Sequence, residues 1–398
     1  MKSPVAIVLG GIGLILVALP FLSPSSSAPG KTSETPSSTK PAVTQELFAS
    51  DRRQPYRIAL QEDGDTNPMR WELVVDEQVM GVASIGERLY DVYGSVVTST
   101  DQLVFAAYDA TGEVVAQATT TWDGQRFSTE AVRATTSRTL KQGTASSSVP
   151  IRFQRATGRW EDASRSLGCE YALTLPVIEL GGKIEKAAAT RMNATLRSAL
   201  LGTRSTPEQA QGAYLRECRT ELESELEALG DADVGGSMMQ RSWDSRVSAV
   251  VEYGRWISIL VQTHTYTGGA HGSTVVQSFV FDTQTGEERE LRNLVRDDRA
   301  LATLHGQIAS RLLSEYTDAL FEDQAALLRA YVANRAEQPA LLARGELGYA
   351  TSTTFLLGPT GLRVFFQQYE VAPYAAGMPT VDLPFAAWQA LAIDELRP

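Results

Sequence analysis

Between about Glu46 and Leu140 apolar and polar side chains alternate with period two, in runs such as RWELVV, RLYDVYGSVV and QLVFAAYD broken by short turn sequences. Alternation sends successive side chains to opposite faces, so this stretch is restricted to half-buried strands. Asp109-Ala-Thr-Gly112 and Asp123-Gly124 supply hairpin chemistry. The prediction is an all-β domain over 46–143, an antiparallel sheet forming a small barrel or sandwich. It contains neither histidine nor cysteine, which suits a binding or spacer role better than catalysis. Lys141 to Ser148 (KQGTASSS) reads as a boundary loop.

Beyond this loop the period changes. An apolar strand at Cys169 to Ile178 leads into a helix over about Lys183 to Leu201, in which Ile184, Ala188, Met192 and Leu196 recur on one face. A second helix has its start written out. Thr206 can cap it, Pro207 fits the first turn, Glu208 favours the dipole, and Gly230 ends it. Two long strands joined at Gly254 follow, then TVVQSFVFD, helices near Asp298 to Tyr316 and Phe321 to Arg335, strands TSTTFLLG and GLRVFFQQYEVAP, and a short helix near Pro384 to Ile393. Strands mixed with segregated helices make the fold class α+β. The chain's 398 residues exceed what one core usually serves, and two α+β domains are predicted, 150–272 and 273–394.

At the N-terminus Met1-Lys2 is followed by 18 residues, Val5 to Leu22, without a charge. As a helix they would cover roughly 27 Å, close to the ~30 Å hydrocarbon layer. The segment 1–22 reads as a retained transmembrane anchor or as a secretory signal peptide. The anchor is preferred because Pro29 would follow the best cleavage site, Ser26-Ser27-Ala28. With four residues ahead of the span, no cytoplasmic domain is expected. Residues 23–45, rich in Ser, Thr and Pro, cannot bury enough surface to order themselves and read as a disordered linker. Its reach is on the order of 25 Å. The functional part is therefore expected at the cell membrane's outer side, periplasmic or extracellular, or secreted if the segment is cleaved.

The formal net charge is −11 and no long basic run occurs, which disfavours nucleic acid. Cys169 and Cys218 are the only cysteines. In an exported chain an even pair permits one disulfide, the alternative being a reactive thiol at Cys218. Closing a loop of roughly 50 residues would contribute about 4 kcal/mol.

Three phrases stand in order: Tyr266-Thr-Gly-Gly-Ala-His-Gly272, Phe281-Asp282-Thr-Gln-Thr-Gly286 and Tyr369-Glu-Val-Ala-Pro-Tyr-Ala-Ala-Gly377. As a set they resemble the paired extracytoplasmic domains of unknown function in RsiV-type anti-sigma factors and PdaC-type peptidoglycan deacetylases. The resemblance covers about Ser166 to Ile393 and implies a wall-facing role. In the anti-sigma factors such a region senses lysozyme, and in the deacetylases it accompanies a separate catalytic domain. The present chain departs from both, lacking a cytoplasmic sigma-binding segment and the deacetylase's metal ligands.

The three histidines, His264, His271 and His305, fit no zinc spacing, and neither a GxSxG elbow nor a phosphate loop occurs. No metal and no cofactor are expected. His264 and His305 read as a half-buried strand residue and a core helix residue. The candidate ligand-binding residues are His271, Asp282, Glu370 and Tyr374, with motif glycines Gly268, Gly269, Gly272 and Gly377. If the motifs converge, these groups would line a concave surface suited to sugar binding or acid–base work. The simpler alternative is that the glycines supply backbone angles while His271 and Glu370 tie down their loops. The leading expectation is a non-enzymatic binding or sensing protein of the bacterial envelope, with cell-wall polysaccharide or a basic lysozyme-like protein as ligand. A hydrolase using His271, Asp282 and Glu370, or a structural scaffold, are the alternatives.

Overall fold

The computed structural model describes residues 55–62, 69–86, 88–97, 102–109, 112–122, 127–133, 136–142, 149–181, 184–229, 239–344 and 354–396, without the side chains of residues 56, 62 and 122–142. The apolar run Val5 to Leu22, the linker, the Asp123-Gly124 turn, most of the Lys141–Ser148 loop and Gly230 lie outside the described residues. Among the described residues no helix is long and apolar enough to cross a membrane.

Eight antiparallel strands form a closed barrel: β1 (Tyr56–Glu62), β2 (Arg70–Val75), β3 (Gln78–Ile85), β4 (Arg88–Val97), β5 (Gln102–Tyr108), β6 (Val114–Trp122), β7 (Phe127–Arg133) and β8 (Thr136–Gln142). Each strand pairs with its sequence neighbour, and β1 pairs with β8 through Leu60↔Gln142 to close the ring. The inward row carries Leu60, Trp71, Leu73, Val92 and Phe105. Trp71 and Phe105 meet edge to face at 5.1 Å, the arrangement favoured by aromatic quadrupoles.

Next come β9 (Ile151–Asp162) and β10 (Leu167–Ile178), helices α1 (Lys186–Leu201) and α2 (Pro207–Leu229), then β11 (Gln240–Tyr253), β12 (Trp256–Tyr266) and β13 (Ser273–Asp282). They build a five-stranded sheet in the order β13-β12-β11-β10-β9. Only β10 and β11 are parallel, because the two helices return the chain to the same end before β11 starts. The start of α2 matches its sequence signals: Thr206 Oγ1 accepts from Gln209 N at 3.3 Å. Cys169 of β10 and Cys218 of α2 form a disulfide with Cα atoms 6.3 Å apart, so the reactive-thiol alternative is set aside. Tyr171, Leu173 and Ile257 on one sheet face bury against Ala188, Met192 and Leu196 of α1.

The remaining elements are α3 (Asp298–Glu315), α4 (Glu322–Ala333), α5 (Gln338–Ala343), β14 (Thr354–Gly358), β15 (Gly361–Phe365), β16 (Thr380–Pro384) and α6 (Phe385–Trp388). Asp297 caps α3 by accepting from Ala300 N at 2.7 Å. The three strands make a small antiparallel sheet, whose core with α3 includes Leu304, Ile308, Phe355, Phe366 and Trp388. Leu89 of the barrel, Val251 and Leu260 of the large sheet, and Leu356 and Phe365 of the small one share one cluster.

Three departures from expectation follow from this arrangement. β9, α5 and β16 went unpredicted. The division expected between 272 and 273 falls between β12 and β13, which pair from Thr265↔Ser273 to Trp256↔Asp282 within one sheet. The long strand expected over GLRVFFQQYEVAP stops at Phe365, because the glutamines and Tyr369 turn the chain.

Three arginines, one buried and two partly buried, fasten the barrel to the rest. Arg57 of β1 lies between Glu72 at 2.9 Å and Glu252 of β11 at 2.5 Å. Arg155 of β9 pairs with Asp76. Arg363 of β15, 4% exposed, holds Asp382 through Nε at 2.7 Å and Asp91 of the barrel through Nη1 at 2.7 Å, and donates to the Leu89 carbonyl. Burial alone works against its charge, but Asp91 and Asp382 outweigh it and hold the guanidinium pKa above its usual value.

Candidate functional site

Two of the three sequence phrases come together at one end of β13. The first connects β12 to β13, and the third lies in the loop after β15. His271 and Tyr374 stack with ring centroids 4.1 Å apart and planes inclined by 23°. Tyr369 approaches Tyr374 at 6.0 Å, giving a face of three rings in which Tyr369 is 55% exposed.

The backbone holds these rings outward. Tyr369 is not glycine, yet its φ is +64°, a left-handed conformation that L side chains resist. The loop around it is over-determined. Glu370 Oε2 accepts from Gln367 N at 2.7 Å, closing a tight turn around Tyr369. Gln367 behaves as a substitute strand residue: its Oε1 accepts from Val276 N at 3.0 Å and its Nε2 donates to the Val276 carbonyl at 2.8 Å. Gln368 Oε1 accepts from Thr274 N at 2.9 Å. A side-chain amide presents the same donor and acceptor as a peptide, so these two glutamines satisfy part of the open edge of β13.

The glycine-rich connection is fixed in a similar way. Gly268, Gly269 and Gly377 have φ of 91°, 94° and 69°, and Gly272 leaves room for the His264 ring, which would lie 2.5 Å from an added Cβ. Tyr266 Oη donates to the Gly269 carbonyl at 2.9 Å. His271 Nδ1 lies 3.0 Å from the Gly272 carbonyl; a carbonyl only accepts, so the Nδ1 proton belongs here and Nε2 is the remaining acceptor. The polar atoms of His271 and Glu370 are thus turned onto their own loops, while the aromatic faces are presented.

Asp282 does not join them. It ends β13, ten residues long, which places it ~30 Å along the strand from His271 at about 3.3 Å per residue. Asp282 is 0% exposed. It accepts from Arg255 Nε at 3.1 Å and from Gln284 N at 3.0 Å. Burial by itself would raise its pKa, but the Arg255 and backbone hydrogen bonds prevail and hold the carboxyl below the usual carboxylate range. The turn that it anchors packs on α1: a Cβ on Gly286, whose φ is +72°, would meet the Ala188 carbonyl at 2.3 Å. Arg191 also donates to the Thr285 carbonyl at 2.9 Å. The second phrase therefore encodes a docking turn, and the expected grouping of Asp282 with His271 and Glu370 is corrected.

Of the other histidines, His305 lies in the core as its pattern indicated, whereas His264 is not half-buried as expected. His264 is exposed at the end of β12, 3.1 Å from Thr274 Oγ1. His305 is 3% exposed within α3, and burial lowers its pKa to about 4. Among the described residues no group of His, Cys, Asp and Glu could hold a metal ion. Sequence reasoning missed Gln367, Gln368 and Tyr369 as site-building residues. The signal was the run QQYE, which leads into the third phrase and overlaps its first two residues, where two amides and an acid crowd a turn.

The C-terminal region carries a segment of a recognisable type. Residues 294–386 match DUF3298, a family described as a protein of unknown function. Two solved structures are similar in outline. One is a member of the DUF3298 family from Bacteroides fragilis, at 17% identity over 62% of this chain and 94% of that one, with a TM-score of 0.47. Another is a DUF3298 family protein from Pseudomonas aeruginosa, at 15% identity over 63% of this chain and 97% of that one, with a TM-score of 0.37. No curated protein matched.

Proposed function

We propose that this chain is an extracytoplasmic binding protein of the bacterial envelope, held at the membrane through Val5 to Leu22, which recognises cell-wall polysaccharide through Tyr369, Tyr374 and His271. The observation that carries this reading is the ring face itself. A strained, solvent-facing tyrosine is maintained beside a stacked histidine–tyrosine pair, and strain of this kind accumulates where a surface has a task. Rigid aromatic faces offer large contact area at small entropic cost, and their polar rims suit a hydroxylated ligand. The resemblance to the RsiV and PdaC domains points to the same compartment. The separation of Asp282 from His271 favours recognition over the hydrolase alternative. A second reading, a basic lysozyme-like protein as ligand, draws on the net charge of −11, which steers cationic partners at low salt.

The test is retention of the full chain on purified cell wall and on immobilised lysozyme. Retention on wall that falls at least about tenfold, roughly 1.4 kcal/mol, in Tyr369→Ala and Tyr374→Ala, with unchanged thermal unfolding, supports the saccharide reading. Retention on lysozyme alone favours the second reading. Retention on neither removes both ligands.

A further inference from the structure

A groove of about 790 Å³ runs along α3 beside α5 and the start of α6. Its floor exists because α3 presents short side chains on successive turns, Ala302, Gly306 and Ser310. Gly306 is the tightest of them, since an added Cβ would lie 3.0 Å from Gln338 Nε2. Glycine within a helix costs up to about 1 kcal/mol relative to alanine, and here it allows α5 to lie close. Gln338, 7% exposed, then lines the groove and donates to the Tyr331 carbonyl at 3.0 Å.

The charge of the lining is opposite to that of the chain. Overall 47 acidic residues face 36 basic ones, yet no carboxylate lines the groove while Arg299, Arg311 and Arg335 do. All three are exposed. Elsewhere Arg57, Arg155 and Arg363 are matched to buried or half-buried carboxylates. In the groove Arg311 reaches Glu315 only at 3.5 Å, and among the described residues Arg299 and Arg335 form no ion pair. A concave wall concentrates their field, and the guanidinium fork fits carboxylate and phosphate equally well.

We propose that this groove is a second binding site, which takes an extended oligoanion carrying carboxylate or phosphate groups. Arg299 and Arg311 both line the groove and are twelve positions apart on α3, hence ~18 Å apart along its axis at 1.5 Å per residue and offset by about 120° around it, with Arg335 on the facing wall. A compact anion reaches one end only; a ligand with repeated charges reaches both. Thr303 and Ser310 along the floor donate their hydroxyl protons to the Arg299 and Gly306 carbonyls, at 2.9 and 2.8 Å, which leaves the guanidinium groups as the charged donors of the groove.

The experiment is calorimetric titration of the full chain with oligogalacturonate, with short linear polyphosphate and with an uncharged oligosaccharide as control, at low and moderate salt. Binding of either anion is expected, weakening as salt rises, with at least about a tenfold loss in affinity, roughly 1.4 kcal/mol, in the double variant Arg299→Gln with Arg335→Gln. These side chains are exposed and unpaired, so thermal unfolding should be unchanged. Binding of oligogalacturonate alone assigns the groove to carboxylates, and binding of polyphosphate alone assigns it to phosphates. Absence of binding by both at low salt overturns the proposal, as does undiminished binding by the double variant.

Discussion

The small sheet β14–β16 is held at two joints built from different chemistry. Toward the barrel the joint is ionic, with Arg363 clasped by Asp382 and Asp91. Toward β13 it is neutral. Gln367 spans both polar groups of Val276, Ser278 Oγ accepts from Phe355 N at 3.0 Å, and Ser258 Oγ both accepts from Leu357 N and donates to its carbonyl, at 3.0 and 2.8 Å. The ionic joint concentrates its energy in one side chain, so it resists salt but fails all at once. The neutral joint distributes its energy over several modest bonds and positions the loop that carries Tyr369.

Removing Arg363 tests that concentration most severely. Arg363→Met leaves two carboxylates facing an apolar side chain, and because Asp91 and Asp382 keep part of their water, the loss is expected at the low end for breaking a buried pair from one side, about 3 kcal/mol. Chemical denaturation should show that loss, and the barrel should become separately protease-sensitive. A loss below about 1 kcal/mol, the range of surface pairs, would show that the joint is not a concentrated one.

His305 must be separated from both joints before any acid sensitivity is assigned to them. Its folded pKa is lowered to about 4 from 6.5 by burial, so between those values the unfolded chain binds the extra proton. Stability is full above about pH 6.5 and falls as pH drops, by about 3 kcal/mol at pH 4. His305→Phe should flatten that part of the curve of unfolding free energy against pH. An unaltered slope would place the acid response elsewhere.

Legibility from sequence divides along similar lines. Elements with strong local signals were readable: α2 from Thr206-Pro207-Glu208, α3 from its apolar spacing, and the disulfide from an even pair of cysteines. β9 was not, since IRFQRATGRWED buries only Phe153 and Ala156 fully and its apolar signal is faint. The glycine phrases marked loop geometry correctly, and His271 and Tyr374 do meet. Asp282 was misplaced because strand spacing in sequence says nothing about which end of a sheet two motifs share. Arg363 and the arginine groove were invisible, because Asp91 comes from 272 positions away and Arg335 from the turn between α4 and α5 rather than from α3.

The neutral joint can be made ionic by Gln367→Glu. The new carboxylate would accept from Val276 N but would face the Val276 carbonyl without a proton to offer, which costs about 2 kcal/mol for an unsatisfied buried acceptor. Protonation restores the donor. Its folded pKa is therefore expected above the ordinary glutamate value, and the variant should lose stability as pH rises through that pKa and regain it in acid, the reverse of the His305 slope.

Ser278→Ala is the finest test of the same joint. The Phe355 N–H would lose its acceptor, Ser278 Oγ, while the ladder between β14 and β15 stays in place. The expected loss is about 1 kcal/mol, the net contribution of one hydrogen bond plus partial desolvation. Hydrogen exchange should show faster exchange at Phe355, with Leu357 on Ser258 unchanged, because the bonds act independently when energy is distributed. Simultaneous loss of protection at both amides would mean that the neutral joint, like the ionic one, opens as a single unit.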